Sequence, residues 1–272
     1  RDGVEARARA LAARPEAPGA RFAMDCALHE IVSQAEGVSV AELLARESGS
    51  EAKPGCFVNA LVFGRDADAL RLDVERASEE GFTELKLKLG ARTWEEDLAR
   101  VRVVREAAGA ERRLRLDVGE SWSLDDALKR LDPLAELGID LIEQPLPARD
   151  WQGMVSLRKK TGSLGIALAA DEAIVRPEEA RRVIEEGAAD VLVLKPAALG
   201  GLAAAAELAR AGREAGLTCV VTSLIDSAWG RAAALALACS LPGPRPADGL
   251  ATGGLLTFDL ALSAQPSRGR LM

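Results

Sequence analysis

Five charged residues close short apolar runs in this chain: Lys88, Asp117, Glu143, Asp171 and Lys195. The runs Leu85 to Leu89, Leu114 to Asp117, Leu141 to Glu143, Ile166 to Asp171 and Val191 to Lys195 read as buried strands, so each charge stands where a strand reaches solvent. In α/β barrels the chemistry projects from the carboxyl ends of the strands, and there the carboxylates, 26 and 28 residues apart, converge on one point. Hard oxygen donors with no cysteine or histidine among them suit Mg²⁺, with Mn²⁺ as a substitute. Each carboxylate also has a plainer reading: Asp117 as a loop cap, Glu143 paired with an exposed arginine, Asp171 as the N-cap of the "RPEEA" helix. Lys195 in "DVLVLKPAALGG" has one too, as a solvated lysine.

The stretch "ELKLKLG" alternates with period two and points Lys86 and Lys88 to one face. On an edge strand that face is water. Inside a closed barrel the two ammonium groups crowd the carboxylates from one side while Lys195 faces them from the other. Neighbouring positive charge disfavours an ammonium, so Lys88, beside Lys86 and a divalent cation, is expected to have its pKa drawn toward neutrality and to act as a general base. The matching task is removal of a proton α to a carboxylate, with the enediolate held by the metal and by cations.

The elements that must position these groups follow a βα rhythm. Further strands are expected at Phe57 to Phe63 and Cys219 to Ser223, with a weaker one at Gly249 to Thr252, and helices at Thr93 to Ala108, Leu124 to Leu137 and Pro177 to Glu186. This is an α/β chain, read as a modified (β/α)7β TIM-type barrel with a partial helical capping domain. Residues 1–50 ("VEARARALAAR", "FAMDCALHEIVSQA", "SVAELLARES") read as helices of a partial N-terminal cap, 51–262 as the catalytic barrel, and 263–272 as a tail returning to the cap. The chain opens on Arg1 without Met and is expected to be part of a longer protein.

Composition narrows the partners. A hydrophobic content of 48% supports a sizeable core, and a net charge of −7 argues against nucleic acid and anionic membranes. No apolar run reaches a membrane span. The four cysteines, Cys26, Cys56, Cys219 and Cys239, form no CxxC pair, and three lie in apolar runs as core filler. A cytoplasmic protein acting on a small-molecule carboxylate is expected.

The ordered set "KLK" (Lys86, Lys88), "DVGESW" (Asp117), "IEQP" (Glu143), "ADE" (Asp171) and "LKP" (Lys195) resembles the enolase superfamily over about residues 20–262. The resemblance implies Lys88 as base, Lys195 as opposing cation or acid, Asp117, Glu143 and Asp171 as Mg²⁺ ligands, and Lys86, Ser223 and Gly253 as substrate-binding residues. The single histidine, His29, lies in the helical N-terminal segment, which disfavours the branch needing a His-Asp pair in the barrel. What remains is the two-lysine, muconate-lactonizing group. Within it "TSLIDSAWGRAAALALACSLP" and "ADGLATGGLLTFDLA" look most like the o-succinylbenzoate synthases, carbon–oxygen lyases of menaquinone biosynthesis. N-succinylamino acid racemases and dipeptide epimerases are the alternative, and a non-catalytic barrel with a decayed site is a further one. Two features depart from the pattern: Gly119 stands where the family commonly has Asn, and the strands and loop that cap the family's site have no counterpart here.

Overall fold

The computed structural model describes residues 17–262 and 264–272; the segment "VEARARALAAR" and Ser263 lie outside the described residues. Two helices come first, α1 (Pro18–Glu36) and α2 (Val40–Ser48). Ser39 and Glu42 form a reciprocal capping box that starts α2, satisfying backbone donors that the first turn leaves open. Then follow β1 (Cys56–Phe57), β2 (Ala60–Val62), α3 (Ala67–Glu79), β3 (Glu84–Lys88), α4 (Trp94–Ala108), β4 (Arg113–Asp117), α5 (Leu124–Glu136) and β5 (Leu141–Glu143). The second half holds α6 (Trp151–Ser163), β6 (Ala167–Ala170), α7 (Pro177–Glu186), β7 (Val191–Leu194), the short α8 (Pro196–Leu199), α9 (Leu202–Glu214), β8 (Thr218–Val221), α10 (Ala228–Ser240) and β9 (Arg270–Leu271). Capping residues mark the expected helix starts: Thr93 before α4, Ser123 before α5, and Pro177 in the first turn of α7.

Strands β2 to β8 pair in sequence order, all parallel, into one curled sheet. Two isolated parallel bridges, Val58 to Asp248 and Thr222 to Gly249, join its first and last edges. The expected strand at Gly249 to Thr252 is therefore reduced to a two-residue clasp. The reason is steric as well as polar. A Cβ on Gly249 would lie 2.4 Å from Thr222 Oγ1, so a bare backbone fits flush there, while the Asp248 carboxylate is taken by Arg245 and the Val221 N–H (2.8 Å). The expected strand Phe57 to Phe63 is split for a similar reason. Val58 N–H donates to Gly269 O and Asn59 N–H to Asp248 O, so β1 turns to the C-terminal tail and β2 to the barrel. The tail itself returns to this point, with β9 antiparallel to β1.

Side chains sort by strand parity. Leu85, Leu87, Leu114, Leu116, Ile142, Leu168, Leu192 and Leu194 pack outward under the helices as the main core. Inside the barrel, Leu141, Ala169, Val191, Val193 and Val220 form an apolar half. The opposite half holds the buried Glu84–Arg115 ion pair, both partners of which also bond Ala247 (Arg115 Nη2 to its O, 3.0 Å; its N–H to Glu84 Oε2, 3.1 Å). A buried pair of this kind is favourable when its remaining polar atoms are met, as most are here.

The N-terminal helices lie against α8, α9 and α10. Asp25 of α1 accepts from the Leu202 N–H (2.5 Å), capping α9, whose own N-cap residue is glycine. The approach is so close that a Cβ on Gly200 would meet Arg21 Nη2 at 2.5 Å and one on Gly201 would meet Asp25 Cγ at 2.8 Å. Cys56, Cys219 and Cys239 are buried and Cys26 is half-buried, all as free thiols. Among the described residues, no helix is long and apolar enough to cross a membrane.

Candidate active site

The lysines of β3 face inward. Lys86 Nζ donates to Glu143 Oε1 at 2.7 Å and lies 2.9 Å from Asp117 Oδ2. Lys88 is level with Asp117, and Asp117 with Glu143, so the strand ends line up as one tier. The two lysines differ in setting: the Lys86 side chain is 15% exposed, that of Lys88 67%, with its Nζ 3.8 Å from Asp117 Oδ2. Across the tier, Lys195 Nζ pairs with Asp171 Oδ1 at 2.5 Å. Lys86 is thus a buried counter-ion, whereas Lys88 is the accessible amine of the pair.

Burial and charge compete at each group. For Lys86, burial would depress the pKa, but Glu143 and Asp117 outweigh it and hold the ammonium above the ordinary lysine value. Glu143 is fully buried, which alone would raise it; Lys86 and then Arg115 beneath outweigh this and keep its carboxyl below the usual range. At Asp171, burial and then repulsion from Glu143 prevail over Lys195 and push the pKa up to about 7. Glu172 is raised as well, chiefly by burial.

A cavity of about 360 Å³ opens over the tier, with Lys86, Lys88, Asp117, Asp171, Lys195 and Ser223 on its wall. Glu143 sits behind Lys86, and Gly253 starts a one-turn 3-10 helix (Gly253–Leu255) just outside the wall. Ser223 shares a hydroxyl–hydroxyl hydrogen bond of 2.8 Å with Thr252, which also lines the cavity. Gly119, with φ of 54°, lies beside this group; a Cβ there would be 3.7 Å from Lys88 Nζ, an ordinary contact. A second cavity, of about 210 Å³, lies by the start of β8 and the loop after α10, among Arg210, Arg213 and Arg245, each engaged with Glu214, Ser48 O and Asp248 respectively. It holds no comparable set of convergent acids and amines.

Among the described residues, no three Asp, Glu, His or Cys side chains are already gathered as a metal-binding group. The Lys86 and Lys195 ammonium groups hold the carboxylates in pairs. The donor set nevertheless fits a hard divalent cation. Asp117 Oδ1, Glu143 Oε2 and Glu172 Oε2 are buried with no hydrogen-bond partner, and an ionised carboxylate oxygen accepts from donors or binds cations and does nothing else.

Several groups escaped the sequence reading. Gln144 adopts φ of 37°, is fully buried, and ties the ends of β5 and β6 together; its place in "IEQP" was visible, its bonding was not. Asn59 faces the deep end of the cavity at 1% exposure with neither amide atom hydrogen-bonded. Its signal is a polar residue inside the run "CFVNALVF". Glu172, the second acid of "ADE", reaches the wall beside Asp171.

The parallel sheet thus brings lysines to both flanks of three carboxylates at one end of its strands. The chain belongs to the Enolase C-terminal domain-like family, which matches residues 69–268, and so to the enolase superfamily and its muconate-lactonizing subgroup. Among its relatives, o-succinylbenzoate synthase of Thermobifida fusca is 40% identical over 66% of this chain and 55% of its own length. The muconate cycloisomerase structure from Pseudomonas fluorescens superposes with a TM-score of 0.89 at 27% identity, over 98% of this chain and 73% of that one. A dipeptide epimerase from Enterococcus faecalis, determined with Mg and the dipeptide L-Leu-L-Tyr, gives 0.83 at 25% identity over 94% and 73%. The chain spans 55% and 59% of the length of the first two curated relatives.

Proposed function

We propose that this chain carries the catalytic barrel of a Mg²⁺-dependent lyase of the o-succinylbenzoate synthase type, with the three-part division at residues 50 and 262 kept as its domain plan. The observation that carries the reading is the order of charges across the strand ends: Lys88, Asp117, Glu143, Asp171, Lys195, amine to amine. The 40% identity to the T. fusca enzyme supports the choice of reaction.

In this reading Asp117, Glu143 and Asp171 hold the ion, with Lys86 as their fixed counter-charge. Bound Mg²⁺ supplies positive charge to the substrate carboxylate as its α-proton leaves. Lys88, in its neutral form, takes the proton from the carbon α to the carboxylate of 2-succinyl-6-hydroxy-2,4-cyclohexadiene-1-carboxylate. The Lys195 ammonium stands on the other face and stabilises the enediolate. The ammonium formed at Lys88 then returns the proton to the departing hydroxyl on the same face, the C–O bond breaks, and water and o-succinylbenzoate result. Removing a general base of this kind costs at least about 10²–10⁴-fold. Lys88→Ala that dehydrates this substrate at the parent rate ends the assignment.

A second reading keeps the first half-reaction and ends in 1,1-proton transfer, as racemisation of N-succinylamino acids or epimerisation of dipeptides. It draws on the likeness to the dipeptide epimerase and on the facing amines. Solvent deuterium entering the α-carbon, with Lys88 and Lys195 variants losing it from opposite enantiomers, favours it; failure to exchange either enantiomer removes it. A decayed, non-catalytic site is distinguished by calorimetry, since it gives neither heat nor thermal stabilisation with Mg²⁺.

A further inference from the structure

Asp171 occupies the N-cap position of the 3-10 turn Glu172–Ile174, where an aspartate ordinarily folds its carboxylate back onto the open N–H groups. It makes no such bond. The work is done by a neighbour: Gln144 Oε1 accepts from Asp171 N–H at 3.0 Å and from Ala173 N–H at 3.1 Å. The rest of Gln144 is tied as firmly. Its Nε2 donates to Leu146 O at 2.8 Å, its own N–H donates to Ala169 O at 2.9 Å, and its carbonyl accepts from Glu120 N–H at 2.7 Å. Its backbone is left-handed, at φ of 37°, a conformation in which the Cβ of a non-glycine residue crowds the following carbonyl oxygen. A fully buried glutamine, held in an unfavourable backbone state immediately after Glu143, spans two strands in order to cap a turn that already begins with a capping residue.

We infer that Gln144 is the positioning residue that frees Asp171: by capping the turn in its place, it leaves the Asp171 carboxylate facing Lys195 and the cavity, and fixes its distance from Glu143. An N-cap aspartate ordinarily accepts from the N–H two residues on, so without the Gln144 amide the Asp171 carboxylate turns from the site to cap the Ala173 N–H itself. The inference rests on the proposal that Asp171 is a cation ligand, and deepens it by naming what holds that ligand available.

The test is Gln144→Met, which keeps the length and the apolar stem and removes both the acceptor and the donor, measured beside Asp171→Asn and the parent. Mn²⁺ and Mg²⁺ affinity is read by calorimetry, thermal unfolding by circular dichroism, and the Asp171 conformation by crystallography of the variant. The expected result is a roughly 10–100-fold weaker cation affinity in Gln144→Met, the range for residues that orient ligands, with the Asp171 carboxylate accepting from Ala173 N–H. A merely structural glutamine lowers the melting temperature and leaves cation affinity and the Asp171 side chain in place; that result overturns the inference. If Gln144→Met fails to fold, Gln144→Glu, which retains the acceptor, serves: parent-like Asp171 geometry with the turn still capped supports the role, and an Asp171 that caps its own turn beside the intact carboxylate acceptor of that variant refutes it. Failure of the underlying site is separate. If the parent and Asp171→Asn bind cations equally, the ligand assignment falls, while the crystallographic comparison still decides whether Gln144 holds Asp171 off its turn.

Discussion

Replacing Lys86 with methionine should invert the pH dependence of stability around the site. The ammonium stands 2.7 Å from one buried carboxylate and 2.9 Å from another. At an effective dielectric near 20, each contact is worth about 6 kcal/mol of Coulomb attraction, opposed by several kcal/mol of desolvation for the buried ammonium. Removing one partner of such a group leaves uncompensated charge, and the net loss is about 3–5 kcal/mol at pH 7. That is a large fraction of the roughly 5–15 kcal/mol typical of a domain. The sign follows from Glu143. In the parent its folded pKa is depressed, so its contribution is present above the unfolded carboxylate value and is lost as pH falls through the folded one. Without Lys86, burial dominates and the folded pKa rises above the unfolded value. The fold then favours the protonated acid, and stability recovers as pH falls toward 5. Urea unfolding of parent and Lys86→Met at pH 7 and pH 5, followed by circular dichroism, measures this. Lys86→Met within about 1 kcal/mol of the parent at pH 7, with a pH slope of the same sign, refutes the account of Lys86 as counter-ion.

Asp171, pushed up to about 7, must be ionised to bind a cation, so Mg²⁺ binding at pH 6 should release close to one proton and at pH 8.5 almost none; calorimetry in buffers of different ionisation heat reads the difference, and equal release at both pH values contradicts it. The same raised pKa means that this group favours folding below its unfolded value and that its contribution is lost as pH rises through about 7. Asn59→Leu removes two buried, unpartnered amide atoms and should stabilise the fold by about 1–3 kcal/mol in thermal unfolding; a destabilised variant shows that the amide has a partner that matters to folding. Gly249→Ala forces a Cβ against Thr222 and should cost about 1–3 kcal/mol, most of it recovered in the Gly249→Ala, Thr222→Ala pair.

The parts legible in the sequence were those that depend on period and on residue type. Alternation in "ELKLKLG" predicts that both lysines share a face, and Lys86 and Lys88 do face inward together. The capping residues predict helix starts at Thr93 and Pro177 to within a residue. What the sequence leaves hidden is pairing at a distance. Lys86 and Lys88 are two residues apart and chemically identical, yet one is buried between two acids and the other lies mostly in solvent, a difference set by strands β4 and β5 and not by local pattern. Asp171 reads as the N-cap of the "RPEEA" helix, but that helix is capped at Arg176 and Asp171 instead opens a separate 3-10 turn; its carboxylate is spared there by a glutamine 27 residues earlier, which no local rule reports. The break at Val58 and Asn59 is hidden for the same reason, since the partners that divide the run are Gly269 and Asp248.

The clasp at Asp248 and Gly249 also sets an order of events during folding. Every pairing from β2 to β8 joins neighbours in sequence across one βα unit, so each closes a loop far shorter than the one that joins Val58 to Asp248 and costs less entropy. The ring is completed by the clasp at Asp248 and Gly249, which bridges Val58 at one edge and Thr222 at the other, two isolated bridges where other seams have a ladder. The curled sheet can therefore assemble strand by strand and shut last, like a bracelet. Asn59, Thr222 and Gly249 meet around the deep end of the cavity only when that fastening is made. Until then the row of lysines and acids exists without its enclosure, so the barrel acquires a binding cavity in the same step in which it becomes a closed ring.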